Sequence, residues 1–166
     1  FCSLSAYAGE ILLDESEAKI HTVHQDTVIR LEESPSDRLI LVENQDLDTY
    51  GSIINKDQTM HSASWMGPYG NYLIHIPAQA KDFKIQVRPL KSSVNSTSVK
   101  LTLVSLKDKS GIFIEAVHDY TQANDLRIKH YLGHDNQTQE AVKHFKAASE
   151  GFKQEGTDFC LALTYV

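Results

Sequence analysis

This chain of 166 residues has little with which to build disulfides: two cysteines, Cys2 and Cys160, and no CxxC pair. A disulfide-stapled scaffold and a thioredoxin-type redox motif are therefore excluded. Positive charge is also short. Lys and Arg total 16 against 22 Asp and Glu, a net charge of −6, and no basic cluster is long enough to follow a phosphate backbone. Nucleic acid and anionic membrane surfaces are excluded as expected partners on that ground. No apolar run approaches the roughly 20 residues that span a bilayer, so no membrane span is expected. Gly-x-Ser-x-Gly elbows, glycine-rich phosphate loops and zinc-protease motifs are all missing.

What remains is a globular composition, with 41% hydrophobic and 23% charged residues. The length suits one or two domains with a real core. The N-terminal stretch FCSLSAYAGE is uncharged as far as Ala8. Its Ala6-Tyr7-Ala8 fits the small-x-small rule of signal-peptide cleavage, so residues 1–8 are expected to be a signal-peptide remnant cut before Gly9. The alternative is a short apolar strand carrying the pattern by chance. Export then leaves Cys160 as a lone thiol, expected to be buried among Phe159, Leu161 and Leu163.

Two halves follow two periods. Residues 83–88 (FKIQVR) alternate apolar and polar up to Pro89, and Val99, Leu101 and Leu103 alternate with Lys100 and Thr102. That spacing puts one strand face on a core and one in water. Further strands are expected over 20–23, 27–31, 38–43, 51–54 and 71–76, separated by turn-rich segments such as 33–37 and 66–71. This pattern predicts an antiparallel β-sandwich over 9–108. From Ser110 the period becomes helical. Helices are expected over 111–132 and 137–155, with Gly133 ending the first and Asn136 with Gln139 starting the second. Gly156 then stops that helix, and a third is expected to begin at Thr157 or Asp158. The fold class expected is segregated α+β: a sandwich followed by a helical hairpin over 109–166. The uncapped end after Val166 suggests a longer chain, whose exposed apolar stripe would mediate self-association.

Ala141, Phe145 and Ala148 fall on one helical stripe, with the alanines permitting close helix approach and the ring filling the groove. These residues, and the turn 156–158 leading into FCLAL, resemble the second helix of a tetratricopeptide repeat (TPR) and the start of the next unit. The likeness covers about 30 residues. It implies stacked helix pairs that hold a protein or peptide segment, with Ala141, Phe145 and Ala148 as packing residues. The loop before Ala141 is about three residues longer than that family's pattern, which suits an atypical capping unit. The strand half, through the turn 67–71 and the strand 72–76, resembles the jelly-roll sandwiches of the pre-peptidase type appended to exported bacterial proteins. Together the two resemblances imply a periplasmic or secreted bacterial protein.

Chemistry is sparse. Among eight histidines, His130 and His134 have helical ligand spacing, but Gly133 interrupts them; His21 and His24 fall on opposite strand faces. No metal, no cofactor and no catalytic residue is expected. Clustered carboxylates such as Asp46 and Asp48 are expected to solvate loops. Asn95 and Asn136 open glycosylation-type triplets. Trp65, Tyr69 and Tyr72 surround one turn and are candidate ligand-contact aromatics, as in a carbohydrate-binding sandwich. The competing expectation is that Trp65 and Tyr72 fill the core. The leading expectation is a non-catalytic interaction or scaffold module; the alternatives are an accessory region of an exported peptidase-type enzyme and the carbohydrate-binding sandwich.

Overall fold

The computed structural model describes residues 9–15, 18–56, 58–63, 70–78, 83–134 and 136–157. Among the described residues, nine strands precede two helices: β1 (Glu10–Leu12), β2 (Lys19–His24), β3 (Val28–Arg30), β4 (Arg38–Asn44), β5 (Thr49–Ile54), β6 (Thr59–Ala63), β7 (Asn71–Ile76), β8 (Lys84–Pro89), β9 (Ser96–Ser105), α1 (Gly111–Tyr131) and α2 (Thr138–Gln154). The class is α+β. One sheet runs β1-β3-β8-β5-β6 and the other β2-β9-β4-β7. Pairing is antiparallel throughout except between β1 and β3.

The two sheets enclose one apolar core. Ile29, Ile85 and Val87 meet Val23, Ile40, Val42, Tyr72, Ile74, Ile76, Val99, Leu101 and Leu103 across it. The expected alternation of β8 and β9 is what their burial follows. β4 and its neighbour β7, the last strand of that sheet, do not alternate, because the sheet is covered on both sides there. Leu39 and Leu73 turn outward and join Phe113, Val117, Tyr120 and Phe152 in a second cluster. The helices therefore form a third layer on this sheet. Gly51 lies on the inner face of β5, where an added Cβ would come within 2.8 Å of Ile74 Cδ1.

Ser110 caps α1, its Oγ accepting the Phe113 N–H at 3.1 Å. Gly133 (φ 87°) and Gly156 (φ 66°) end the two helices. At each, the glycine N–H and the next N–H reach back to helix carbonyls, at His130 and Lys129 and at Lys153 and Phe152, which satisfies orphan acceptors. The expected start of α2 needs correction. Gln137, not Asn136, is its N-cap and provides no side-chain cap, while the Asn136 side chain accepts from Thr138 N–H at 3.3 Å.

β6 and β1 were not expected from the sequence. The β6 segment Thr59-Met60-His61-Ser62-Ala63 has no apolar alternation. It ends its sheet, and α1 closes it from the side. Asp125, 2% exposed at its side chain, accepts the His61 backbone N–H at 2.8 Å and pairs with Lys129 at 2.6 Å. Arg127 donates to the Ala63 carbonyl at 3.1 Å and to Asn124 Oδ1 at 2.8 Å. A sheet edge that would invite a further strand is thus occupied by helix side chains.

Candidate functional site

A cleft of about 370 Å3 opens where the helix layer meets the sandwich, lined by Asp37, His75, Ile114, Glu115, His118 and Asp119. Pairing of β4 with β7 places Leu39 opposite His75, on the helix-facing side of the sheet. Asp37 precedes β4 by one residue and so falls beside the end of β7. The four helix residues occupy one stripe of α1, at i, i+1, i+4 and i+5.

Asp37 is the most constrained group. Its Oδ1 accepts the Ala78 N–H at 2.7 Å, its Oδ2 contacts His75 Nε2 at 2.9 Å, and its carbonyl accepts the Leu106 N–H at 2.8 Å. Burial alone would raise its pKa, but the Ala78 N–H and His75 outweigh it and hold the carboxyl below its ordinary range. His75 is 9% exposed at its side chain. Burial lowers its pKa more than Asp37 restores it, and the neighbouring His118 lowers it further. The imidazole is therefore neutral at pH 7. A carboxylate only accepts, so Nε2 carries the proton and Nδ1 keeps a lone pair. His118 stands edge-on to His75, with ring centroids 6.2 Å apart. Asp119 pairs with His144 of α2 at 2.7 Å, and Glu140 approaches the same ring at 3.6 Å.

Such a cleft can accept protons or hydrogen bonds. Among the described residues, no serine, threonine or cysteine lines it. Among the described residues, no group of three or more His, Cys, Asp or Glu is arranged to hold a metal ion. A second polar cluster lies on the outer face of the other sheet. Tyr50 hydrogen-bonds His61 Nδ1, and Arg88 stands 5.0 Å above the Tyr50 ring. Burial raises the Tyr50 pKa and lowers that of His61, so the hydroxyl donates to a neutral ring.

The residues singled out from the sequence are not gathered here. Tyr72 is fully buried in the sandwich core, so it has no ring face for a ligand. Its hydroxyl meets Thr49 Oγ1 at 2.9 Å, and that Oγ1 donates to Asn44 Oδ1 at 2.6 Å. Trp65, Tyr69, Cys160 and the expected third helix lie outside the described residues, as does the segment 1–8. Ala141 and Ala148 are buried, and Phe145 packs edge-on against Tyr120 of α1 at 6.0 Å. His130 is exposed on α1, and His134 lies beyond Gly133. Asp37, His75, His118 and Asp119 escaped the sequence reading. One signal was present, since His75 is the only titratable side chain but tyrosine in the apolar strand YLIHI (72–76).

Compared with family models, curated proteins and solved structures, the chain matches none of them.

Proposed function

We propose that this chain is a non-catalytic, exported protein-interaction module, in which a jelly-roll-like sandwich carries the first TPR-like helix pair of a scaffold. The observation that carries the reading is the seam of Ala141, Ala148 and Gly151 between α1 and α2. An added Cβ at Gly151 would lie 2.7 Å from Ala116 Cβ. Small residues at a crossing of this kind are what stacked helix pairs require. α1 is held by the sheet on one side and by α2 on the other. The far face of α2 presents Val142, Lys143, Lys146, Ala147 and Glu150 to solvent. That face is the surface for a further helix pair or for a peptide. Its partners are protein segments, and the compartment is periplasmic or secreted.

The test is a phage-displayed peptide library panned on the full chain, followed by calorimetric titration of recovered peptides. Saturable binding is expected, weakened roughly tenfold by Val142→Asp with Lys146→Glu at unchanged thermal stability. Failure to recover any saturable peptide, or binding indifferent to the paired substitution, would refute the reading.

A further inference from the structure

We propose that the outer face of β5 and β8 binds an extended acidic peptide segment, with one carboxylate on Arg88, Ser52 and His61 and a second on Lys84. The helix pair packs on the four-stranded sheet and along the β6 edge, not on β5 or β8. On β5, Gly51 and Ile53 turn inward, so Tyr50, Ser52 and Ile54 point outward. On β8, Ile85 and Val87 turn inward, which leaves Lys84, Gln86 and Arg88 on the same outer face. The register sets Ser52 opposite His61 on one side and Gln86 on the other. Ser52 is 4% exposed, yet its hydroxyl makes no hydrogen bond among the described residues. Larger side chains stand around it on that face, so the hydroxyl forms the floor of a recess. A polar group buried this far normally has a partner.

Donors surround the recess. The Ser52 hydroxyl is free to donate. Tyr50 donates to His61 Nδ1, so the ring proton sits on Nε2. Arg88 gives one N–H to Gln25 at 3.4 Å and lies over the Tyr50 ring, and no carboxylate pairs with it among the described residues. Lys84 is exposed and likewise has no acidic partner among them. Elsewhere on this sheet Glu10 answers Arg30, at 2.5 Å. A cationic surplus thus faces outward here, in a chain whose net charge is −6. The occupant must accept hydrogen bonds and carry negative charge. Lys84 and Arg88, four residues apart on one strand, stand about 13 Å apart. An extended segment with acidic residues four apart matches that spacing, whereas two isolated cations are too few to follow a phosphate backbone. That the partner is a protein segment rests on the interaction reading above; the recess and its charge do not.

The probe is the peptide acetyl-Glu-Gly-Ser-Gly-Glu-amide, titrated into the full chain and followed by NMR at fixed ionic strength, with the same peptide carrying glutamine at both acidic positions as control. Saturable shifts of the His61 and Tyr50 ring resonances are expected by about 10 mM peptide, with the remote His144 ring unmoved and no response to the control. Lys84→Glu weakens binding roughly tenfold, because a like charge then meets the second carboxylate. Ser52→Ala separates a ligand group from a structural one. It weakens binding roughly threefold or more while the urea midpoint holds or rises, because the hydroxyl has no partner to lose in the free chain. Static His61 and Tyr50 resonances, equal binding of the control, or unchanged affinity in both variants would overturn the inference, and so would a Ser52→Ala midpoint below that of the parent. Val142→Asp with Lys146→Glu leaves this affinity unchanged, because α2 belongs to the layer on the other sheet. Panning indifferent to that pair, with this titration saturable, would sink only the α2 surface; static resonances here, with panned peptides still bound at α2, would sink only this one.

Discussion

Replacing Gly151 with alanine sets two helix terms against each other. In a helix free of neighbours, the change stabilises by about 0.8–1.0 kcal/mol, because alanine loses less backbone entropy. Here the new methyl falls 2.7 Å from Ala116 Cβ. Carbon atoms rest comfortably at about 3.5–4.0 Å, so the two helices must part by about 1 Å. That separation loosens Ala148 and the contact of Phe113 with Phe152, whose rings lie 5.7 Å apart. Overpacking of this kind costs about 1–3 kcal/mol. Gly151→Ala is therefore expected to lose about 1 kcal/mol net, a fall of roughly 2–4 °C in Tm for a chain of this size. The sign reverses once the opposing atom is gone. In an Ala116→Gly background, the same substitution is expected to stabilise by about 1 kcal/mol, so urea titrations of the four proteins give a coupling near 2 kcal/mol. A Gly151→Ala protein more stable than its parent in both backgrounds would refute a close crossing at this point.

Acidification is expected to weaken the fold. His21, His61 and His75 all have pKa values lowered from 6.5, chiefly by burial. Below 6.5 the unfolded chain binds protons that the native chain resists, so stability is full above that value and falls as pH drops through the lowered native values. A urea midpoint that stays constant or rises from pH 7.5 to 5.5 would contradict this. Asp125→Ala removes the acceptor of the His61 N–H and the partner of Lys129. It is expected to cost about 2–3 kcal/mol, and hydrogen exchange should quicken at the His61 amide before the β4 amides. Thr49→Val breaks the buried chain from Tyr72 to Asn44 at nearly constant volume. A loss of about 1–3 kcal/mol is expected from the stranded polar atoms; an unchanged denaturation midpoint would show the chain to be energetically idle.

Legibility in the sequence followed the range of the interactions. The strands around Ile85 and Leu101 alternate because each has one face on the core, a local signal that needs no partner. α2 was equally readable, since Ala141, Ala148 and Phe152 lie on one stripe. β6 was not, because its place depends on β5 and on side chains of α1 more than sixty residues away. α1 hid its role for the same reason. Asn124 and Asp125 look like a solvated face, yet both are buried against the edge of β6. The cleft required the β4–β7 register to bring Asp37 beside His75, and no spacing along the chain encodes that pairing.

α1 is the joint on which the interaction reading turns. Its apolar side covers Leu39 and Leu73, its Asn124, Asp125 and Arg127 close the edge of β6, and its small-residue seam receives α2. Lifting the helix pair off the sandwich would uncover the apolar face, leave the His61 N–H without its charged acceptor and bare a sheet edge at once. These costs fall in a single event because one helix bears all three contacts. The hairpin is thus fixed to the sandwich rather than tethered to it, and a helical array built on α2 would extend from a rigid base. The cleft shares that origin: Asp37 and His75 come from the sheet, while Glu115, His118 and Asp119 come from α1. Any perturbation that shifts the helix must therefore open or close the cleft. Weakening the His61 clamp with Asp125→Ala should shift the NMR ring resonances of His75 and His118 without touching a lining residue.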